Sequence, residues 1–135
     1  MPPQTILLMG HAEKPNDPTD PDLSDAGFAR ANRLAGWLPQ QFGPPDFLVA
    51  SALSKHSARP FVTIKPLAKA LGIPIDATFA DQDYPALAQE LLTGSRYVGR
   101  LVLVCWHHGH IPSLARDLRA ESGRYPDPWD SRCSI

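Results

Sequence analysis

The sequence lacks several features that would assign it to particular protein classes. Its two cysteines, Cys105 and Cys133, are too few for a disulfide framework. With 13 basic and 14 acidic side chains the formal net charge is -1, so no overall positive field attracts nucleic acid or an anionic membrane. No apolar run is long enough to span a bilayer. We therefore expect neither a nucleic-acid partner nor a membrane partner.

Nothing near the N-terminus resembles a secretion signal. The apolar stretch from Ile6 to Met9 is too short for a signal-peptide core, and no basic leader precedes it. Cys105 lies within an apolar run, where a reduced and buried thiol is the ordinary expectation. These features predict a cytoplasmic protein.

The composition is that of a folded domain. The chain has 135 residues, of which 43% are hydrophobic and 20% charged, and this is enough for one core. We predict a single domain over residues 1–135. The 15 prolines exceed the usual share of about 5%. They cluster in stretches that we interpret as loops between secondary-structure elements.

Hydrophobic spacing predicts alternating strands and helices. Short apolar runs favour strands, whereas apolar residues three and four apart, bounded by capping residues, favour helices. Proline and glycine mark where each helix ends. The predicted strands are Thr5 to Met9, Phe47 to Ala50, Ile73 to Ala77 and Leu101 to Trp106, and the predicted helices run from Ser24 to Leu38, from Ser57 to Leu71, from Tyr84 to Leu92 and from Pro112 to Leu118.

The run from Leu101 to Trp106 has no polar alternation, which is typical of a central parallel strand covered on both faces. Four strand–helix alternations without hairpins favour a parallel sheet with right-handed crossovers. The predicted fold is therefore α/β, a three-layer sandwich whose mainly parallel sheet has helices on both faces.

Polar side chains collect where the predicted strands end. His11 follows the first strand, Ser51 the second, and His107 and His108 the fourth. Arg59 lies in the first turn of the second helix, where a cation opposes the helix dipole unless an anion is near. In parallel sheets, ligands bind at the carboxyl ends of the strands, so we expect these side chains to share one site.

Two imidazoles, a guanidinium and helix N-terminal N–H groups form a site for a dianionic phosphoryl group. A neutral imidazole can attack phosphorus, while the other imidazole and the guanidinium stabilise the negative charge on the phosphoryl oxygens. An acid must also protonate the leaving atom. The predicted chemistry is phosphoryl transfer.

Four motifs in order strengthen this interpretation, because together they resemble the histidine phosphatase (phosphoglycerate mutase-like) superfamily. The Gly10-His11 strand end resembles the family's Arg-His-Gly motif, and residues 23–27 (LSDAG) resemble the stretch that follows it. Residues 51–63, with Arg59, resemble the second arginine motif, and residues 104–112 (VCWHHGHIP) resemble the second-histidine motif. The resemblance covers nearly the whole chain.

The resemblance implies a role for each matched residue. His11 would be phosphorylated, Arg59 would clamp the phosphoryl group, and His108, beside Gly109, would be the second histidine. His107 is the rival for that role, since spacing counted from Ile111-Pro112 favours it.

The general acid is predicted to be a carboxylate, and three are available. Asp81 is the first choice, with Asp83 and Glu13 as alternatives. No cofactor or metal is implied by the resemblance.

The sequence departs from the family pattern at Gly10, where the family has an arginine. Losing one donor to a developing oxyanion typically costs about 100- to 1000-fold in rate. We therefore expect a weak phosphatase or none, unless Lys14, Lys55 or Arg96 replaces the charge. Gly10→Arg is then expected to raise turnover of an aryl phosphate.

Two other functions fit the same residues. The site could bind phosphate or a phosphopeptide without turnover, because one clamp is absent. Alternatively His11, His108 and His110 could hold a metal ion, since imidazole is a common ligand for zinc, copper and nickel. Stoichiometric zinc in the purified protein would favour the metal site over the phosphatase.

Substrate and assembly are less constrained. Short connections between the elements imply an open site, which favours a phosphoprotein such as a phosphohistidine protein, or small phosphate esters. The sequence gives no oligomeric state. Relatives that it resembles continue into another strand beyond the region of Cys133, so we expect a C-terminal strand to be missing.

Overall fold

The computed structural model describes Pro3, residues 5–17 and residues 19–118. The region around Cys133, where a missing strand was inferred, lies outside these described residues. Within them the chain alternates strand and helix. The elements are β1 (Thr5–Gly10), α1 (Asp25–Phe42), β2 (Phe47–Ala50), α2 (Arg59–Leu71), β3 (Ile75–Asp76), α3 (Tyr84–Thr93), β4 (Leu101–Trp106) and α4 (Ile111–Asp117), with short 3₁₀ turns at Asp81–Asp83 and Ser95–Tyr97.

The four strands form one parallel sheet in the order β1-β4-β2-β3. β4 is central, as its uninterrupted apolar sequence predicts, and Val102 to Trp106 are all fully buried. Gly10 pairs with Trp106, and Ala50 pairs with Cys105. Because all the strands run the same way, their carboxyl ends meet at one edge of the sheet.

Helices cover both faces of the sheet, which confirms the predicted three-layer sandwich. On one face, α3 and α4 bury Leu87, Leu91 and Leu114 against Val102 and Val104. The opposite face is covered by α1 and α2, and its apolar cluster includes Leu38, Ile64, Leu67, Leu103 and Cys105.

The largest differences from the predicted bounds are in α1 and β3. Pro39 does not end α1, because the helix continues to Phe42 and the Pro39 carbonyl accepts the N–H of Gly43. A proline near the end of a helix removes only its own donor, so the last turn still forms. β3 spans two residues rather than five, since this edge strand pairs with β2 only through Ile75 and Asp76.

Helix α1 begins where its sequence predicts. Ser24 is the N-cap, and its hydroxyl accepts the N–H of Gly27 at 3.1 Å. Ser57, predicted to cap α2, accepts the N–H of Arg59 instead, at 3.2 Å. Within the described residues, no helix has the length and apolar character needed to cross a membrane.

Candidate active site

The sheet brings His11 and His107 together. Gly10 and Trp106 are paired across β1 and β4, so the residue after each strand enters the same space. The His11 and His107 rings face each other edge to face, with centroids 5.5 Å apart and planes at 72°. Two histidines nearly a hundred residues apart in the chain therefore meet at the carboxyl edge, where the sequence predicts a site.

A hydrogen bond sets the tautomer of His11. Its Nδ1 lies 2.8 Å from the carbonyl oxygen of Ala12, and a carbonyl can only accept, so Nδ1 carries the hydrogen. In the neutral ring Nε2 then holds the lone pair. Burial lowers the pKa of His11, the Ala12 hydrogen bond partly opposes this, and the charges of His107 and Arg59 lower it further. His11 is thus a neutral imidazole near neutral pH, as a nucleophile must be.

His107, rather than His108, is the ring that contacts His11 within the described part of the chain. His107 is half-buried, and burial lowers its pKa while the Asp81 carboxylate acts in the opposite direction. His108 is exposed, in the turn between β4 and α4, and lines the same cleft. The geometry therefore favours the rival residue for the second histidine.

Arg59 is held in a fixed position by the loop that precedes α1. Its Nε donates to the carbonyl of Asp22 at 3.1 Å, and its Nη2 donates to the carbonyl of Asp20 at 2.5 Å. The Ser57 hydroxyl lies 3.5 Å from Nη1. These bonds restrain the guanidinium, which lines the cleft beside His11. Restraint of this kind reduces the reorganisation needed when an anion binds.

Thr63, one turn along α2 from Arg59, fastens the chain after His11. Its hydroxyl accepts the buried N–H of Ala12 at 2.9 Å and donates to the carbonyl of Arg59 at 2.7 Å. Thr63 is itself buried and reaches the thiol of Cys105, whose pKa is raised by burial. The sequence places Thr63 in the second arginine motif, but its contact with the His11 loop needs the fold to be seen.

The three candidate acids occupy different places. Asp81 Oδ2 lies 3.0 Å from His110 Nδ1 without the alignment of a hydrogen bond, and the indole of Trp106 donates to the Asp81 carbonyl at 3.0 Å. Asp83 is exposed at the start of α3. Glu13 lines the cleft. Asp81 thus lies beside His110, where its charge acts on His107, and not in the lining of the cleft.

The side chains of His11, Arg59 and His107 surround one open cleft of about 540 Å³. It is large enough for a phosphoryl group with part of a substrate attached. The residues that line it are His11, Ala12, Glu13, Lys14, Arg30, Arg59, His107 and His108.

Of the cations proposed to replace the motif arginine, Lys14 alone lines the cleft among the residues that the structure describes. Arg96 is at the other end of the sheet, paired with Asp76 at 3.6 Å, and Lys55 is exposed in the loop before α2. Arg30, which is not among the residues predicted from the sequence, lines the cleft from α1. No local sequence signal marks it, because its place depends on how α1 packs.

Gly10 is buried at the end of β1, beside a small cavity of about 20 Å³. This volume is close to that of one water probe, so it cannot hold a guanidinium. An arginine side chain at this position needs more space than the small cavity offers. The residues that line the small cavity are Met9, Gly10, His11, Ala12, Arg30, Ala31, Leu34 and Thr63.

Two other predicted edge residues play lesser parts in the geometry. Ser51 is buried at the end of β2, and its hydroxyl has no hydrogen-bond partner among the described residues. Gly109 is exposed in the turn after His108. Across residues 5–17 and 19–118, no three His, Cys, Asp or Glu side chains are grouped as metal ligands.

Several solved structures with the same fold are named as phosphatases. SixA from Agrobacterium tumefaciens, a candidate phosphohistidine phosphatase, is 26% identical, with a TM-score of 0.56 over 88% of this chain and 76% of that one. SixA from Nakamurella multipartitia, likewise a candidate phosphohistidine phosphatase, is 20% identical, with a TM-score of 0.54 over 90% of this chain and 74% of that one.

A third similar structure holds inorganic phosphate. It is the mycobacterial glucosyl-3-phosphoglycerate phosphatase Rv2419c, 16% identical, with a TM-score of 0.57 over 84% of this chain and 76% of that one. No protein-family model matches the sequence, and no curated protein matches it. The relationship is therefore carried by the fold, together with the 26% identity to the Agrobacterium protein.

Proposed function

We propose that this chain, which belongs to the histidine phosphatase superfamily, removes phosphoryl groups through a phosphohistidine intermediate on His11. The observation that carries the proposal is the state of His11 itself. Its Nδ1 is bound to the Ala12 carbonyl, so Nε2 holds the lone pair, and the ring lies against His107 in a cleft that Arg59 also lines.

The reaction has two steps. The Nε2 lone pair of His11 attacks phosphorus, and the bond between phosphorus and the leaving atom breaks, its electron pair passing to that atom, which takes up a proton. Water then attacks the phosphorus of the phosphorylated His11 and loses a proton as the new P–O bond forms, while the bond between phosphorus and Nε2 breaks and its electron pair returns to the ring, which releases inorganic phosphate. The first step requires a neutral His11, in agreement with the lowered pKa of this residue.

The oxygens of the transferred group are held by Arg59 and by the second histidine. We assign that role to His107, because its ring contacts His11, while His108 also lines the cleft and the Gly109 backbone follows in the same turn. The Asp20 and Asp22 carbonyls leave part of the Arg59 guanidinium available for the anion. Both groups stabilise negative charge that grows during transfer.

Asp81 is the proposed acid, acting from beside His110 and outside the lining of the cleft, and this position favours substrates with good leaving groups. An imidazole has an ordinary pKa of about 6.5, so it leaves phosphorus far more readily than an alkoxide does. Phosphohistidine and aryl phosphates therefore make the smallest demand on an acid that does not line the cleft. We propose a phosphohistidine-containing protein or a small phosphate ester of this kind as the substrate.

The decisive experiment is to trap the intermediate. Wild-type protein incubated with a labelled phosphohistidine peptide is expected to take up label that is lost in acid and retained in alkali. His11→Gln removes the nucleophile and should abolish both the label and phosphate release. The matched control is His56→Gln, which changes an exposed histidine outside the cleft. Turnover by His11→Gln equal to that of the control would contradict the proposal.

A second candidate function is phosphate or phosphopeptide binding without turnover. The observation in its favour is that Gly10 supplies no guanidinium, while two donors of Arg59 are already bonded to the Asp20 and Asp22 carbonyls. Vanadate or phosphate would then bind to the wild-type protein, whereas neither labelled enzyme nor released phosphate would be detected. The same trapping experiment separates the two functions.

A further inference from the structure

We propose that Arg30 replaces the missing motif arginine, and that it is held by Glu13 until a phosphoryl group draws it across the cleft. This inference rests on the proposed function and adds a binding residue to the same site. Arg30 comes from α1, a different element from the one that carries the family's arginine.

Backbone contacts with Glu13 hold the start of α1 close to the His11 loop. The Glu13 carbonyl accepts the backbone N–H of Ser24 at 2.9 Å and its hydroxyl at 3.2 Å, which ties the His11 loop to the start of the helix. Gly27 then passes so close that an added Cβ would meet the Glu13 carbonyl oxygen at 2.4 Å. Only a glycine permits this approach, and Arg30 follows it three residues later, on the same side of α1.

The Arg30 side chain lies beside both of the spaces that adjoin His11. It lines both the small cavity beside Gly10 and the large cleft that contains Arg59 and His107. Among the residues that the structure describes, no other cation lines both spaces. A guanidinium from α1 therefore reaches the side of His11 from which the motif arginine is absent.

The ion pair that holds Arg30 to Glu13 is exposed and therefore weak. Arg30 Nη1 lies 2.5 Å from Glu13 Oε1, but the two side chains are 40% and 43% exposed. Ion pairs at such exposure contribute little to the stability of a fold, because solvent screens the charges and ordering two long side chains costs entropy. A phosphoryl dianion carries more charge than a carboxylate and can accept two guanidinium N–H groups, so it can compete with Glu13 for Arg30.

The experiment compares oxyanion binding and turnover in matched variants. Arg30→Gln is expected to raise the dissociation constant for vanadate and to lower kcat/KM for an aryl phosphate, each by about 10- to 100-fold, as for loss of a charged hydrogen bond. Glu13→Gln is expected to tighten vanadate binding a few fold, since it removes the competing carboxylate. Arg33→Gln, an exposed arginine of the same helix that does not line the cleft, should change neither value.

A rescue variant links Arg30 to the motif position. Gly10→Arg in the Arg30→Gln background is expected to recover at least part of the vanadate affinity, because it restores a guanidinium at the position where the family has its arginine. Thermal unfolding of each variant establishes that it is folded. Should the double variant fail to fold, the comparison of Arg30→Gln with Arg33→Gln still decides.

The outcomes distinguish this inference from the function on which it rests. If wild-type protein binds vanadate and releases phosphate, but Arg30→Gln matches Arg33→Gln in both, then Arg30 is not the replacement and the phosphatase proposal stands. If Lys14→Gln gives the loss instead, Lys14 is the replacing cation and the inference is wrong. If the wild type shows neither vanadate binding nor turnover, the phosphatase proposal fails and the Arg30 inference fails with it.

Discussion

The two sides of the cleft hold their arginines in different ways. On one side Arg59 donates to two backbone carbonyls, and Thr63 ties the backbone of Arg59 to that of the His11 loop. On the other side Arg30 has one described partner, the exposed carboxylate of Glu13. On our proposal the first arrangement is ready before an anion arrives, whereas the second forms only when an anion competes with Glu13 for Arg30. Loss of each arginine should therefore affect different quantities.

The largest effect is expected from Arg59→Gln. Removing a positioned donor to the developing oxyanion should lower kcat for an aryl phosphate by about 100- to 1000-fold. The Asp20 and Asp22 carbonyls also lose their guanidinium partner, so the temperature of unfolding should fall. Steady-state kinetics and thermal unfolding measure the two effects. A loss of kcat no greater than that of Arg30→Gln would remove the distinction between the two sides.

A smaller effect on activity, but a clear one on stability, is expected from Thr63→Val. The buried N–H of Ala12 and the carbonyl of Arg59 would each lose a partner. An unsatisfied buried group costs about 1–3 kcal/mol, which should appear in the free energy of unfolding measured with urea. Thr63→Ser keeps the hydroxyl and serves as the control. Equal stability of the Val and Ser variants would show that the hydroxyl does not fasten the loop.

The pH dependence of stability tests whether the pKa values of His11 and His107 are lowered in the folded protein. Burial is the main cause that lowers the pKa of both His11 and His107 below the ordinary value of 6.5. Below that pH the unfolded chain binds protons that the folded protein does not, so the free energy of unfolding should fall as pH falls. Urea unfolding between about pH 8 and about pH 5 measures the slope.

The double variant His11→Gln, His107→Gln isolates the two rings, because every other titrating group is unchanged. Its stability should depend less on pH over the acid half of that range than the stability of the wild type does. Parallel curves for the two proteins would mean that the rings titrate alike in the folded and unfolded states.

Much of the fold could be predicted from the sequence because its signals are local. The unbroken apolar run of β4 indicates burial on both faces, and Ser24 caps α1 where expected. The sheet edge at which His11 and His107 meet follows from the parallel topology alone. The predicted end of α1 was wrong because a proline does not end every helix. Pro39 stands inside the last turns of α1, and the helix continues past it.

The details of the candidate site could not be predicted in the same way. The choice between His107 and His108 depends on the turn in which the N–H of His110 bonds the carbonyl of His107. Motif alignment does not report which of two adjacent rings such a turn directs towards His11. Arg30 was missed because its position depends on the close approach of Gly27 to the Glu13 backbone, a contact between distant parts of the fold.

The smallest expected effect is the loss of stability when either member of the Arg30–Glu13 pair is replaced. Because the Arg30–Glu13 pair is exposed, Arg30→Gln and Glu13→Gln should each change the free energy of unfolding by less than about 1 kcal/mol. Urea unfolding of the two variants, with Arg33→Gln as the reference, measures this. A larger loss in both would mean that the pair braces α1 against the His11 loop, and its arginine would then be a structural residue. A negligible loss together with weaker vanadate binding would separate Arg30 from Arg59, because removing Arg59 should lower stability and activity together.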